Sequence, residues 1–515
     1  MEDDRAQTRL PEGRGADWAP IGGSYSAIGS ARPRWSRAAR LCVFALGVLG
    51  LAGAMLASAG PVGIGVAGLL WTQAALKSVG LFMRPRSAAP ASDVGVHAPS
   101  RGAPGRVEET GWPRYTVLVP LYREAAALPR LILALAALDY PRDRLEILLV
   151  CEADDALTLD AMPGLFPPFR LVRVPPGGPR TKPKALRVAM QEARGQIVTI
   201  YDAEDVPHPG QLKQAARALL ADPELAAVQA PLRVDNLRAR WITRQFALEY
   251  AGLFFLWFPT LASLGLPAPL GGTSNHIRRD ALERAGGWDP FNVTEDADLS
   301  FRLALDGAWN GAHVGRRIGR RIGWINLPTD EEAVASLRAW HHQRTRWFKG
   351  YAQTWWMHTR RPCGGWARGG WRRGGWRRWV AVQITVGLSL LCALLHLPTV
   401  AVLGFKLAVG APVPGAVLAA GAAFYLSGIA VSVRGALRAG VTLRVGDLLG
   451  VPLYWLLLTG AAWAGMLDLA RRPVYWAKTT HGVAPRAPFP ELRPFPLSRT
   501  RLRSTTSKSR LRVFS

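Results

Sequence analysis

The sequence predicts an α/β domain built on a mostly parallel sheet and flanked on both sides by transmembrane helices. Three observations carry that prediction. Apolar blocks stand at roughly 39–59, 62–83, 379–404, 410–432 and 448–469, each near the ~20 residues that a bilayer-spanning helix needs. Between them, from about 112 to 330, short apolar runs alternate with stretches of helical spacing, the pattern of βαβ units. Acids then gather directly after two of the apolar runs, where an open α/β sheet binds its ligands.

Composition narrows the function. The chain has 515 residues, 49% of them hydrophobic, and a formal charge of +27 from 64 Lys and Arg against 37 Asp and Glu. That length calls for at least two structural regions. An excess of positive charge suits nucleic acid, anionic lipid or a phosphorylated substrate. No zinc finger, homeodomain or RNA-binding signature is present, so no nucleic-acid partner is expected. Cys42, Cys151, Cys363 and Cys392 lie far apart and spell neither a disulfide framework nor a metal spacing.

In chain order, residues 1–38 read as a cytoplasmic N-terminal segment, its first 31 residues flexible from their Ala, Pro, Gly and charge. Residues 39–83 read as a transmembrane hairpin. Ala57-Ser58-Ala59 resembles a cleavage site, but a signal peptide does not carry so long a hydrophilic lead and a second apolar block at once. "RPRWSRAAR" (32–40) and "MRPRS" (83–87) flank the hairpin, and basic flanks stay in the cytoplasm. The linker 84–111 and the domain 112–360 then lie on the cytoplasmic side of the membrane. "YTVLVPLY" (115–122), "LEILLVCEADD" (145–155), "GQIVTIYDAED" (195–205) and "LAAVQAPLRV" (225–234) read as strands. "LPRLILALAAL" (128–138) and "PKALRVAMQEA" (183–193) read as helices. "GRRIGRRIG" (315–323) reads as a loop insertion.

"GGWARGGWRRGGWRRW" (364–379) is a Gly-rich, basic repeat with regular Trp, suited to lipid headgroups beside the next membrane helix. Residues 379–470 hold three further apolar blocks. Their polarity conflicts. The loop 433–447 is basic, and 471–515 carries eleven Lys and Arg against Glu491 alone. Both ask for the cytoplasm, yet 448–469 lies between them. Either that block is re-entrant or interfacial, or the tail crosses.

The acids point to chemistry. Glu152, Asp154 and Asp155 follow one strand; Asp202, Glu204 and Asp205 follow another. Crowded carboxylates repel and need protons or a cation. Such hard oxygen ligands suit Mg²⁺ or Mn²⁺ completed by substrate phosphates; capping of the following helices is the plainer alternative. Thr294, Glu295 and Asp296 look like the cap and first turn of an amphipathic helix. In "HHQRTRWFKG" (341–350), Gln343, Arg346 and Trp347 fall at i, i+3 and i+4, on one helical face. Arg344, Phe348 and Lys349 point elsewhere, as packing or interfacial residues.

Taken in order, "YDAED" (201–205), "GGTSNHIRR" (271–279), "TED" (294–296) and "QRTRW" (343–347) resemble the motif set of membrane-embedded family 2 glycosyltransferases, the cellulose and hyaluronan synthases among them. "TKPKAL" (181–186) fits the donor-binding half of that family, placing Lys182 and Lys184 there. The resemblance implies a GT-A fold and inverting, metal-dependent transfer from a UDP-sugar. It places Glu152, Asp154 and Asp155 by the uridine, and Asp202 with Glu204 or Asp205 at the metal and diphosphate. It makes Asp296 the general base, with Thr294 and Glu295 beside the acceptor. Gln343, Arg346 and Trp347 meet acceptor and diphosphate. The acceptor it implies is a growing β-linked polysaccharide, with export subunits open. A lipid carrier or lipid acceptor receiving one sugar, and a non-catalytic membrane scaffold or transport component, are the rivals.

Overall fold

The computed structural model describes residues 61–83, 111–304, 321–360, 376–476 and 486. The expectations for residues 1–60, for the linker and for most of the two Gly-containing repeats fall outside those residues.

Helix α1 (Pro61–Phe82) occupies the second apolar block. The α/β unit begins with β1 (Tyr115–Leu121), α2 (Leu128–Ala136), β2 (Leu145–Glu152) and α3 (Ala156–Asp160). It continues through β3 (Phe169–Val174), α4 (Lys182–Glu192), β4 (Ile197–Ile200) and β5 (Val206–Pro207). α5 (Gln211–Ala221), β6 (Leu225–Gln229) and β7 (Leu232–Val234) lead to a long helix, α6 (Trp241–Ser263), with a π turn over Leu253–Trp257. β8 (Asn275–Arg278), α7 (Arg279–Arg284), α8 (Glu295–Leu303), β9 (Arg321–Trp324), β10 (Thr329–Glu331) and α9 (Leu337–Thr359) complete it.

Seven strands form the main sheet in the order β3-β2-β1-β4-β8-β6-β9. β1 pairs in parallel with β2 and β4, so that Val117 stands beside both Ile147 and Thr199. β8 alone runs antiparallel, between β4 and β6. Alternation divides the side chains: Leu118, Leu148 and Val150 join one core, while Val117, Val119, Ile147 and Leu149 join the other. A sheet buried on both faces needs such continuous apolar strands. A small sheet, β5-β10-β7, sits beyond the carboxyl ends. The four anticipated strands and two anticipated helices are present within a few residues. β4 ends at Ile200, earlier than its apolar run suggested, because the chain turns at Asp202 to Asp205.

Helices α10 (Trp376–Ala408), α11 (Gly415–Ala439) and α12 (Val445–Arg471) are long and apolar enough to cross a membrane, and so is α6. α6 was not anticipated. It is apolar because it lies between the sheet and the membrane helices. Phe254 and Phe258 pack against the α/β core, and the Trp324 indole N–H donates to the Phe254 carbonyl at 3.1 Å. α1 packs along α11.

α12 covers the apolar block at 448–469 and is anchored at both ends. At its start, the Asp447 carboxylate accepts two hydrogen bonds from Arg244 of α6. At its end, Lys349 of α9 donates to Asp468 at 2.8 Å and to the carbonyls of Arg472 and Tyr475 at 2.7 and 2.8 Å. Both ends of α12 are therefore tied to the same α/β unit.

Candidate active site

The carboxyl ends of β1 and β4, the loop before β8, the start of α8 and one face of α9 enclose a cleft of about 250 Å³. Asp202, Glu204, Thr294, Glu295, Asp296, Gln343, Arg346 and Trp347 all line it. These are the residues on which the sequence argument rested, and they meet.

The meeting depends on one close approach. A Cβ on Gly350 would lie 2.4 Å from Cγ2 and 2.5 Å from Oγ1 of Thr294. Only glycine lets α9 pass this near the turn that starts α8. Thr294 stands at the N-cap position, as anticipated, but its hydroxyl does not cap α8. That hydroxyl lies 3.3 Å from Thr354 Oγ1 on α9, while its backbone N–H donates to Asn292. From the other side of α8, Asp298 accepts from Arg302 and lies 2.8 Å from His358 Nε2 on α9, locking the two helices together.

Electrostatics are dominated by acid. Burial lifts the Asp296 carboxyl above the ordinary aspartate range, against the Ala297 N–H, Lys182 and Arg346. Burial and Asp296 push Glu295 up to about 8. Glu204 rises well above its usual value through burial and the charges of Asp202, Asp205 and Glu331. Lys182 supplies the nearest compensation. It pairs with Asp202 and donates to the Gly272 carbonyl at 2.8 Å. Burial works against its ammonium, yet Asp202, Glu295 and Asp296 hold its pKa above the ordinary value.

Two residues that line this space carry buried side-chain atoms without a hydrogen-bond partner among the described residues. Gln343 Oε1 is buried and makes no hydrogen bond. Arg346 has an unbonded buried Nε and rests its guanidinium over the Trp476 ring, 4.5 Å from the centroid. Burial depresses Arg346, and Glu295, Asp296 and Asp202 restore part of its charge preference. Unpaired buried donors and acceptors are costly, so these two groups are poised for a polar ligand. Trp347 stacks on Tyr250 with centroids 6.0 Å apart and carries the Arg344 guanidinium 4.0 Å over its ring. Arg344 itself is buried against Glu249 at 2.6 Å, in the packing role expected for it.

Other expected residues are placed differently. Glu152 lines the cleft, but Lys184 is buried behind it, donating to Glu152 at 3.3 Å and to the Pro175 carbonyl at 3.0 Å. Asp154 pairs with Arg180, which lines the cleft. Asp155 caps α3 and accepts the Arg123 N–H at 2.6 Å. Asp205 turns inward, accepting from the Asp202 N–H at 2.7 Å and from the Thr273 hydroxyl; burial and Asp202 push its carboxyl up to about 7. Sequence reasoning missed Tyr250, Glu331 and Trp476 as lining residues. Only Glu331 carried a signal, in the acidic run "TDEE" (329–332).

A divalent cation fits this donor set. Asp202 and Glu204 both line the cleft, and burial with the charges of Asp202, Asp205 and Glu331 raises the Glu204 carboxyl, which a cation would relieve. Among the described residues no group of three or more His, Cys, Asp or Glu could hold an ion unaided. Mg²⁺ ordinarily takes only one or two carboxylates and completes its shell with phosphate oxygens and water.

Residues 113–350 match the family model described as glycosyltransferase like family 2. The chain is 28% identical over 249 residues to the probable glycosyltransferase YdaM of Bacillus subtilis (strain 168), covering 46% of this chain and 55% of that one. It is also 28% identical over 249 residues to the β-monoglucosyldiacylglycerol synthase of Synechocystis sp. (strain ATCC 27184 / PCC 6803 / Kazusa), covering 48% and 49%. It thus spans about half the length of these curated relatives. Among solved structures, the mannosyltransferase PcManGT from Pyrobaculum calidifontis in complex with GDP-Man and Mn²⁺ superposes with a TM-score of 0.48 and 20% identity, over 84% of this chain and 98% of that one.

Proposed function

We propose that this chain, whose residues 113–350 match a family model for family 2 glycosyltransferases, moves a sugar from a UDP-sugar to an acceptor hydroxyl arriving from the bilayer side. One observation carries the reading. Asp202, Asp296, Gln343, Arg346 and Trp347 line a single cleft, and that cleft adjoins a second cavity between the membrane helices.

Asp296 is the base. Its carboxylate takes the acceptor proton as the acceptor oxygen bonds to the anomeric carbon and the nucleoside diphosphate leaves from the opposite face. Such general base catalysis is worth ~10²–10⁴-fold. Arg346, with its charge unpaired, holds the departing diphosphate, and Lys182 steadies Asp202. Gln343 borders the space that acceptor hydroxyls would occupy. Glu152 and the Asp154–Arg180 pair bound the end assigned to uridine. Mg²⁺ or Mn²⁺, held by Asp202 and Glu204, would stabilise charge on the leaving diphosphate.

The polysaccharide expected from the motif resemblance and a lipid acceptor share all of these steps. The lipid reading is favoured by the second cavity, about 210 Å³ in volume. The relative named β-monoglucosyldiacylglycerol synthase supports the same choice. The domain and both ends of α12 are assigned to the cytoplasmic face of a bacterial inner membrane, where the basic flanks belong. The test is purified protein in lipid nanodiscs with labelled nucleotide sugars. Label in the lipid phase at one sugar per acceptor supports the reading; label in a large glycan returns the polymer, and no transfer from any donor rejects both.

A further inference from the structure

We propose that the cavity between the membrane helices seats the headgroup of the acceptor lipid and selects one carrying a phosphate, with Lys77 as its counter-charge. The proposal rests on the membrane-derived acceptor argued above and names its chemical class.

Lys77 projects from α1 toward α11 and α12. Its ammonium stands 4.9 Å from the ring centroids of both Phe424 and Trp455. Among the described residues no carboxylate pairs with it and no hydrogen bond anchors it. A cation inside a membrane segment is costly, and such residues mark substrate or ion pathways. Two aromatic faces offset only part of that cost. The nearest acid on the cavity wall, Glu249, is already engaged, at 2.6 Å from Arg344 and accepting the Tyr454 hydroxyl at 2.6 Å. A ligand that brings its own negative charge completes the site.

The wall is shaped for this arrangement. A Cβ on Gly428 of α11 would stand 2.3 Å from Cη2 of Trp455 and 3.1 Å from Lys77 Nζ. Glycine there lets ring and ammonium share the cavity wall. Gln73, Ser389 and His396 add polar groups to the lining. Leu253, Phe258, Pro269, Trp347 and Tyr351 line both this cavity and the catalytic cleft, so the two spaces are neighbours. A phosphodiester with a hydroxyl beyond it satisfies both ends. The phosphate pairs with Lys77, and the hydroxyl reaches Asp296. Its oxygen then bonds to the anomeric carbon, its proton passes to Asp296 and the nucleoside diphosphate departs.

The test uses the full chain in phosphatidylcholine nanodiscs containing either phosphatidylglycerol or diacylglycerol. Retained lipid is read by native mass spectrometry, and labelled sugar by extraction. The wild type should retain and glycosylate phosphatidylglycerol. K77Q should weaken its retention by about tenfold or more, K77R should keep it, and G428A should lose it with K77Q. Millimolar inorganic phosphate should not displace the lipid. Unchanged retention in K77Q overturns the proposal, as does displacement by free phosphate, which would mark a soluble-anion site. Efficient glycosylation of diacylglycerol with no phosphatidylglycerol bound also overturns it, yet leaves the proposed function standing. Only absence of transfer from every nucleotide sugar removes both.

Discussion

Replacing Gly350 by alanine probes the contact that unites the two halves of the cleft. The new Cβ would stand 2.4, 2.5 and 2.8 Å from Cγ2, Oγ1 and Cβ of Thr294. Thr294 has little room to retreat, since its N–H is held by Asn292 at 3.0 Å and α8 begins at the next residue. Inside a helix alanine gains ~1 kcal/mol over glycine, whereas overpacking costs ~1–3 kcal/mol. The net loss is on the order of 0–2 kcal/mol, so the protein still folds. The strain is relieved by moving α9, and with it Gln343, Arg346 and Trp347, away from Asp296. A displacement of ~1 Å is enough to lower the rate ~10²-fold. Steady-state transfer measured beside thermal unfolding separates these effects. We expect a small change in Tm and a large fall in kcat/KM. Adding T294A, which removes the two nearest contacts, should restore part of the rate. A Gly350→Ala protein with wild-type turnover would refute the reasoning.

Three further outcomes are expected. Asp202→Asn should make UDP-sugar binding insensitive to Mg²⁺ or Mn²⁺ in titration calorimetry; an unchanged metal response removes Asp202 from the ion site. Metal binding should strengthen as pH rises above the ordinary carboxylate range, with protons released. The raised Glu204 carboxyl keeps its proton to higher pH than usual, and the ion takes only the ionised form. Buffers of different ionisation enthalpy would detect that release, and a pH-independent affinity counts against it. Trp347→Ala removes the ring that Tyr250 and Arg344 flank. It should lower transfer to acceptor more than hydrolysis of donor, and equal losses would deny it an acceptor role.

The α/β unit was legible in the sequence because its strands are short continuous apolar runs, such as Val117 to Val119 and Ile147 to Val150. The motif residues were legible because each has a recognisable position on its element: Asp202 just after β4, Asp296 in the first turn of α8, Arg346 and Trp347 on one face of α9. Side-chain direction was not legible. Asp155 and Asp205 sit within the right clusters, yet backbone N–H groups and hydroxyls draw both carboxylates away from the cleft. Lys184 and Lys182 are two residues apart on α4, and only Lys182 reaches the cleft. The role of α6 was hidden because an apolar helix looks the same against a sheet as in lipid. Trp476 has no local signal at all, since only the return of the chain beyond α12 brings it onto Arg346.

The most direct measurement of the central claim is Asp296→Asn, assayed for sugar transfer and for nucleotide binding in the same preparation. If Asp296 removes the acceptor proton, transfer falls ~10²–10⁴-fold while UDP still binds. Transfer at the wild-type rate would contradict the account.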